Sequence, residues 1–192
     1  IQKSGADKMV ASINLLDKDL AIRFFHAIGK QSILSEELEN YINEVRERNL
    51  KLREAQEIIF KRTGRDNRQE PDLSPEDERE ICRWSLEEKD SDLVFVTHYP
   101  VSKRPFYTFE DPEDLGYTLS FDLIGCGTEW MTGGQRINDY NKLVENAKTR
   151  GIDMQKSEIY LQAFRYGMPP EGGFSFGSER ITMHILGLQN VR

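Results

Sequence analysis

The chain has 192 residues, with 33 acidic against 26 basic side chains, a formal net charge of −7 and 38% hydrophobic residues. That length suits one domain with a real core. The acidic balance argues against non-specific nucleic-acid binding, which needs a basic surface to displace counterions. No run approaches the roughly 18 apolar residues of a membrane span. The opening IQKSGADKMV has no apolar stretch like that of a secretory leader. Two cysteines, Cys82 and Cys126, make neither a disulfide framework nor a four-ligand zinc site, so a reducing, cytoplasmic setting is expected. The chain opens on Ile1 and stops directly after an apolar helical pattern, which reads as a piece of something longer.

Residues 1–62 read as a helical segment. Met9, Val10, Ile13 and Leu16 recur at helical spacing; so do Leu20, Phe24, Phe25 and Ile28, and then Leu34, Leu38, Tyr41, Ile42 and Val45. The charges between them are a solvated face. Gly29 and Gly64 are expected helix stops, the latter after a helix around 52–62. Residues 64–73 form a polar loop. Ser74, Pro75, Glu76 and Asp77 open the next helix: a cap, a first-turn proline and two acids at the positive end of the dipole. It should run to about Glu88.

From residue 92 the period changes. LVFVTHY has the content of a buried strand. YTFEDPEDLGY predicts a short strand and an acidic turn. YTLSFDLIGCGTEWMTGGQRI predicts two strands around Gly125, Cys126 and Gly127. Helices follow to about Gly151 and over 156–166. GGFSFG is a glycine-rich strand or turn, and a last helix starts near Ser178 and ends at Gly187. Strands joined by short turns and flanked by helices make an α+β fold on a mainly antiparallel sheet.

Asp122 and Glu129 form the leading constellation. With Gly125 and Cys126 as a two-residue turn, Asp122 lies directly opposite Glu129, β-carbons about 5 Å apart. Facing like charges are destabilising without a cation between them, and Mg²⁺ with phosphate oxygens would supply it. The plain alternative is two exposed acids, each with a surface Lys or Arg. Arg136 lies seven residues beyond Glu129, on the opposite face by strict alternation. A bulge at Gly133–Gly134 would bring it into the same cleft, where it could grip a carboxylate; otherwise it is an edge arginine in solvent. Gly172–Arg180 joins a glycine-rich stretch to a helix start, a phosphate-binding arrangement without the Walker pattern, with Gly177 and Arg180 its candidates. Lys103 and Arg104 lie between Pro100 and Pro105 as a substrate-facing loop or a rigid turn. His26 and His184 lie in apolar helices as packed residues; His98 is the histidine near the cleft.

These pieces stand in a recognisable order. RPFYT, FD followed by GTE, TGGQR and GSER resemble the C-terminal half of the catalytic domain of aspartyl-tRNA synthetases, class II aminoacyl-tRNA ligases of the aspartate/asparagine/lysine subgroup. The resemblance starts near Leu52 or Glu70 and runs to the end. It implies the class II antiparallel sheet flanked by helices, with residues 63–192 as a partial catalytic domain. It implies ATP-dependent activation of aspartate to aspartyl-adenylate and transfer to the acceptor end of tRNA, in the cytoplasm, by a homodimer when full length. Asp122 and Glu129 match acids that hold Mg²⁺ and ATP phosphates, and Arg180 matches the motif-3 arginine on the γ-phosphate, with Gly177 beside it. Arg136 matches the arginine that reads the substrate carboxylate, and Arg104 lies in the segment separating aspartyl from asparaginyl enzymes.

The chain departs from that pattern at Cys126, Asn138 and Ser178, where the family usually has arginine, histidine and leucine. The first and second class II motifs are not found: no proline precedes Pro71, and Phe164–Arg165 is followed by Tyr–Gly. The expectation is a fragment of an aspartate–tRNA ligase, inactive in isolation, with a full enzyme that serves either aspartate tRNA alone or asparagine tRNA as well. The alternatives are a tRNA-independent aspartate-adenylating amide ligase and a non-catalytic binding paralogue.

Overall fold

A computed structural model describes residues 49–188 and 190. The three helical stripes expected within residues 1–48, His26 among them, lie outside the described residues. The chain there begins with a short strand, β1 (Asn49–Lys51), and helix α1 (Leu52–Thr63). Helix α1 buries Leu52, Ala55, Gln56 and Ile59, a stripe at helical spacing. Gly64 ends it in the left-handed conformation (φ 73°), its N–H bonded to the Phe60 carbonyl at 2.8 Å.

Helix α2 (Pro75–Lys89) starts as its letters dictate. Ser74 Oγ accepts the Asp77 N–H at 3.3 Å, and the Asp77 carboxylate accepts the Ser74 N–H at 3.0 Å. Asp77 is buried, and Arg65 balances its charge at 2.6 Å. Ile81 faces the sheet.

Strands β2 (Leu93–Thr97), β3 (Ser120–Gly125), β4 (Thr128–Gln135) and β5 (Gly172–Phe176) complete a five-stranded sheet in the order β1-β2-β3-β4-β5. The β2–β3, β3–β4 and β4–β5 pairs are antiparallel. One core joins α1 and α2 to a sheet face through Leu52, Ile59, Ile81, Val94, Val96 and Ile124. Each such side chain contributes about 1.5–3 kcal/mol by leaving water. A second core holds α3 (Tyr140–Thr149) against α4 (Glu158–Arg165) through Ile137, Leu143, Leu161 and Phe164. Helix α5 (Ser178–Ile185) follows β5. Among the described residues no helix is long and apolar enough to cross a membrane.

The expected strand in YTFEDPEDLGY does not form. That segment makes only the isolated bridges Pro100–Tyr117, Thr108–Arg136 and Glu110–Thr118. Pro105 and Pro112 cannot donate to a ladder, and the Asp111 carboxylate takes the Glu113 N–H at 2.9 Å, so turns replace a strand.

Candidate active site

The β3–β4 hairpin carries the site, but its turn is not the expected one. Cys126 and Gly127 are the two turn residues, both with positive φ (52° and 78°), as a type I′ turn requires. Gly125 therefore pairs with Thr128 and Ile124 with Glu129. The register then shifts between Leu123 and Ile124, so that Leu123 faces Met131 and Asp122 faces Thr132, not Glu129. Trp130 is the extra residue of this bulge. The direct Asp122–Glu129 pairing is thus corrected. The two still share a face: Asp122 and Ile124 alternate on β3, and Glu129 stands opposite Ile124. The same bulge changes the parity along β4, which brings Glu129 and Arg136 to one side. It lies at Trp130 and not at Gly133–Gly134.

Asp122 is buried, and Arg104 donates to its Oδ2 at 2.7 Å. The same guanidinium donates to Thr132 Oγ1 at 3.1 Å and lies 3.8 Å above the Tyr99 ring centre. The Arg104 loop is held from behind by Arg150, which donates to the Val101 carbonyl at 2.6 Å and to the Arg104 carbonyl. Of the two readings of this loop, the rigid turn describes its backbone, and its arginine points into the Asp122 cluster. Asp122 Oδ1 is buried without a hydrogen-bond partner.

Glu129 has its pKa raised, first by burial and then by the neighbouring Asp122 charge, with Arg180 opposing. A third acid stands beside them: Glu78 on α2 accepts the Glu129 N–H at 3.2 Å. Burial pushes Glu78 up to about 7, against the bond from Glu129 N–H, with the Glu129 and Asp122 charges adding to the rise. Arg180 donates to the Glu129 carbonyl at 2.8 Å and lies 3.7 Å from its carboxylate. The Gly177 N–H bonds the Trp130 carbonyl at 2.8 Å, so Gly177 seats the start of α5 on the bulge. Trp130 also donates to His184 Nδ1 at 2.8 Å, its ring stacked on the imidazole.

Arg136 faces a cavity of about 210 Å³ whose walls include Arg104, Thr132, Gly134, Ser120 and Tyr107. Its nearest carboxylate, Glu171, is 3.8 Å away, and the Tyr107 ring lies 5.3 Å from its guanidinium carbon. Gly173 makes that position possible. A β-carbon there would meet Arg136 Nη2 at 2.7 Å. His98 is tied elsewhere, to Thr97 at 2.8 Å and Asp111 at 3.2 Å.

The family model for tRNA synthetases class II (D, K and N) matches residues 17–192. The chain belongs to the class II tRNA synthetase family. The match reaches upstream of Leu52, into residues that the motif resemblance left unassigned. An aspartate–tRNA(Asp/Asn) ligase of Thermus thermophilus is 51% identical over 121 residues, covering 63% of this chain and 28% of that ligase. An aspartyl-tRNA synthetase structure from Entamoeba histolytica matches with a TM-score of 0.70 at 31% identity, covering 75% of this chain and 30% of that one. An asparaginyl-tRNA synthetase from Pyrococcus horikoshii, complexed with asparaginyl-adenylate, matches with a TM-score of 0.66 at 32% identity over 75% and 32%. The chain thus spans about three-tenths of these synthetases.

Glu78 is absent from the residues singled out in the sequence, and Tyr99 and Thr132 stand there only within the HYPVSKRPFY and TGGQR stretches, with no role of their own. Glu78 carries a usable signal: it lies one turn before Ile81 and Cys82 and so shares the sheet-facing side of α2. Tyr99 and Thr132 carry none, because a stacking partner and a cross-strand hydroxyl are set by tertiary register alone.

Proposed function

We propose that this chain, with residues 63–192 as its catalytic part, belongs to an aspartate–tRNA ligase that activates aspartate with ATP and transfers it to tRNA. The observation that carries this reading is Arg136: a guanidinium facing an amino-acid-sized cavity, with its nearest carboxylate 3.8 Å away. A planar guanidinium suits a carboxylate through two parallel hydrogen bonds, which favours aspartate over asparagine. Arg104 completes the wall of that pocket and holds Asp122 in place.

Asp122 and Glu129 are the residues that would hold Mg²⁺. Asp122 offers a buried, unpartnered carboxylate oxygen and Glu129 a second hard oxygen donor on the same face. Among the described residues no cluster of three or more metal-ligating side chains exists, so phosphate oxygens and water would supply the remaining ligands. When bound, the ion would offset negative charge on the triphosphate. Arg180, beside Glu129, would contact the γ-phosphate, with Gly177 seating the helix that carries it.

The reaction this site serves is a displacement at phosphorus. The α-carboxylate oxygen of aspartate bonds to the α-phosphorus of ATP, and the bond to pyrophosphate breaks. A terminal ribose hydroxyl of tRNA then attacks the adenylate carbonyl carbon, loses its proton, and AMP leaves. Arg136 orients the substrate by its side-chain carboxylate, and the remaining contribution is electrostatic. We further propose a cytoplasmic homodimer for the full-length protein; two cysteines, too few for a disulfide framework, suit that compartment.

ATP–pyrophosphate exchange with the full-length protein tests this reading. Exchange should depend on aspartate and be weak with asparagine. Exchange absent with aspartate, or as strong with asparagine, would refute it.

A further inference from the structure

The two cysteines of the chain, 44 positions apart in sequence, meet where α2 touches the β3–β4 turn. Cys82 Sγ accepts the Gly127 N–H at 3.3 Å. Backbone geometry puts the Cys126 Cα about 2.4 Å from that nitrogen. The Cys126 Cα therefore lies at most roughly 5.7 Å from the Cys82 sulfur, which makes the two cysteines direct neighbours. Gly127 also packs tightly on the helix, since a β-carbon there would meet Arg79 Cγ at 2.8 Å.

We propose that Cys82 and Cys126 are a redox-responsive pair, closed by a hydroperoxide into a disulfide that staples α2 to the hairpin. Their environments divide the labour. Cys126 is exposed at the turn tip, open to a small oxidant. Cys82 is partly buried, and its thiol is pushed up by that burial, so it serves as the resolving partner. The Cys126 thiol gives its proton to solvent. The thiolate attacks one peroxide oxygen, the O–O bond breaks, and a sulfenic acid forms with release of water or alcohol. Cys82 sulfur then attacks the sulfenic sulfur, the S–O bond breaks, and the hydroxide leaves as water with the Cys82 proton. Two thiols are oxidised by two electrons and one hydroperoxide is reduced. The staple lies one helical turn from Glu78, whose carboxylate takes the Glu129 N–H.

The test uses the whole chain and needs no enzymatic activity. After stoichiometric hydrogen peroxide, the thiol count under denaturing conditions should fall from two to none. The intact mass should drop by about 2 Da, and peptide mapping should recover a Cys82–Cys126 link that reductant reverses. The melting temperature should rise in the oxidised form. In Cys82→Ser, peroxide should instead leave a dimedone-trappable sulfenic acid at Cys126. Two persisting thiols, a sulfinic acid at Cys126 in the parent chain, or a disulfide only between chains would each overturn the proposal.

Discussion

Arg104 and Asp122 form a closed pair: Nη2 donates to Oδ2 at 2.7 Å, and both side chains are largely removed from water, at 14% and 7% exposure. A buried pair of this kind is expensive to break from one side, because the surviving charge is left without a partner. Arg104→Ala should therefore cost about 3–5 kcal/mol in urea denaturation, against far less for the double variant Arg104→Ala with Asp122→Asn. Equal losses in the single and double variants would show that the pair does not hold the loop.

Glu78 gives the fold a pH dependence of known sign. Its pKa is about 7 in the folded chain against an ordinary value of 4.5, so between those limits the folded state binds more protons than the unfolded one. Stability from this group is fully present below pH 4.5 and is lost as pH rises through 7. Glu78→Gln should flatten that part of the stability profile. A profile unchanged by the substitution would remove Glu78 as its source.

Two glycines on adjoining strands should behave differently. At Gly133 a β-carbon would meet the Gly173 carbonyl oxygen at 2.8 Å and the Phe121 ring at 2.7 Å. Backbone cannot yield cheaply, so Gly133→Ala should destabilise by about 1–3 kcal/mol. At Gly173 the clash is with Arg136 Nη2, the mobile end of a long side chain. Gly173→Ala should leave the melting temperature nearly unchanged and move the guanidinium away from β5, which a crystal structure of the variant would show.

The helix starts and stops were legible because they rest on local chemistry. Ser74, Pro75 and Asp77 form the cap their spacing implies, and Gly64 ends α1 as a glycine in the left-handed region should. The hairpin was legible as a hairpin, and Asp122 and Glu129 as neighbours on one face. Its register was not. A turn on Gly125–Cys126 and one on Cys126–Gly127 each set a glycine beside Cys126, and it is Gly127 (φ 78°) that joins the cysteine (φ 52°) in the turn while Gly125 pairs with Thr128. The bulge at Trp130 has no glycine to announce it. It is held by tertiary contacts, with the Gly177 N–H on the Trp130 carbonyl and the indole on His184. The acidic segment around Pro112 shows the opposite failure: alternating aromatic letters suggested a strand that prolines and side-chain turns exclude.

The role of Arg136 decides the account. In the full-length protein, Arg136→Ala should lower kcat/KM for aspartate in ATP–pyrophosphate exchange by roughly 100-fold or more, as loss of a desolvated charge-pair partner does. The dissociation constant for ATP should stay close to that of the parent. Aspartate-dependent exchange within about threefold of the parent would contradict it, because the substrate carboxylate would then be held by something other than this guanidinium.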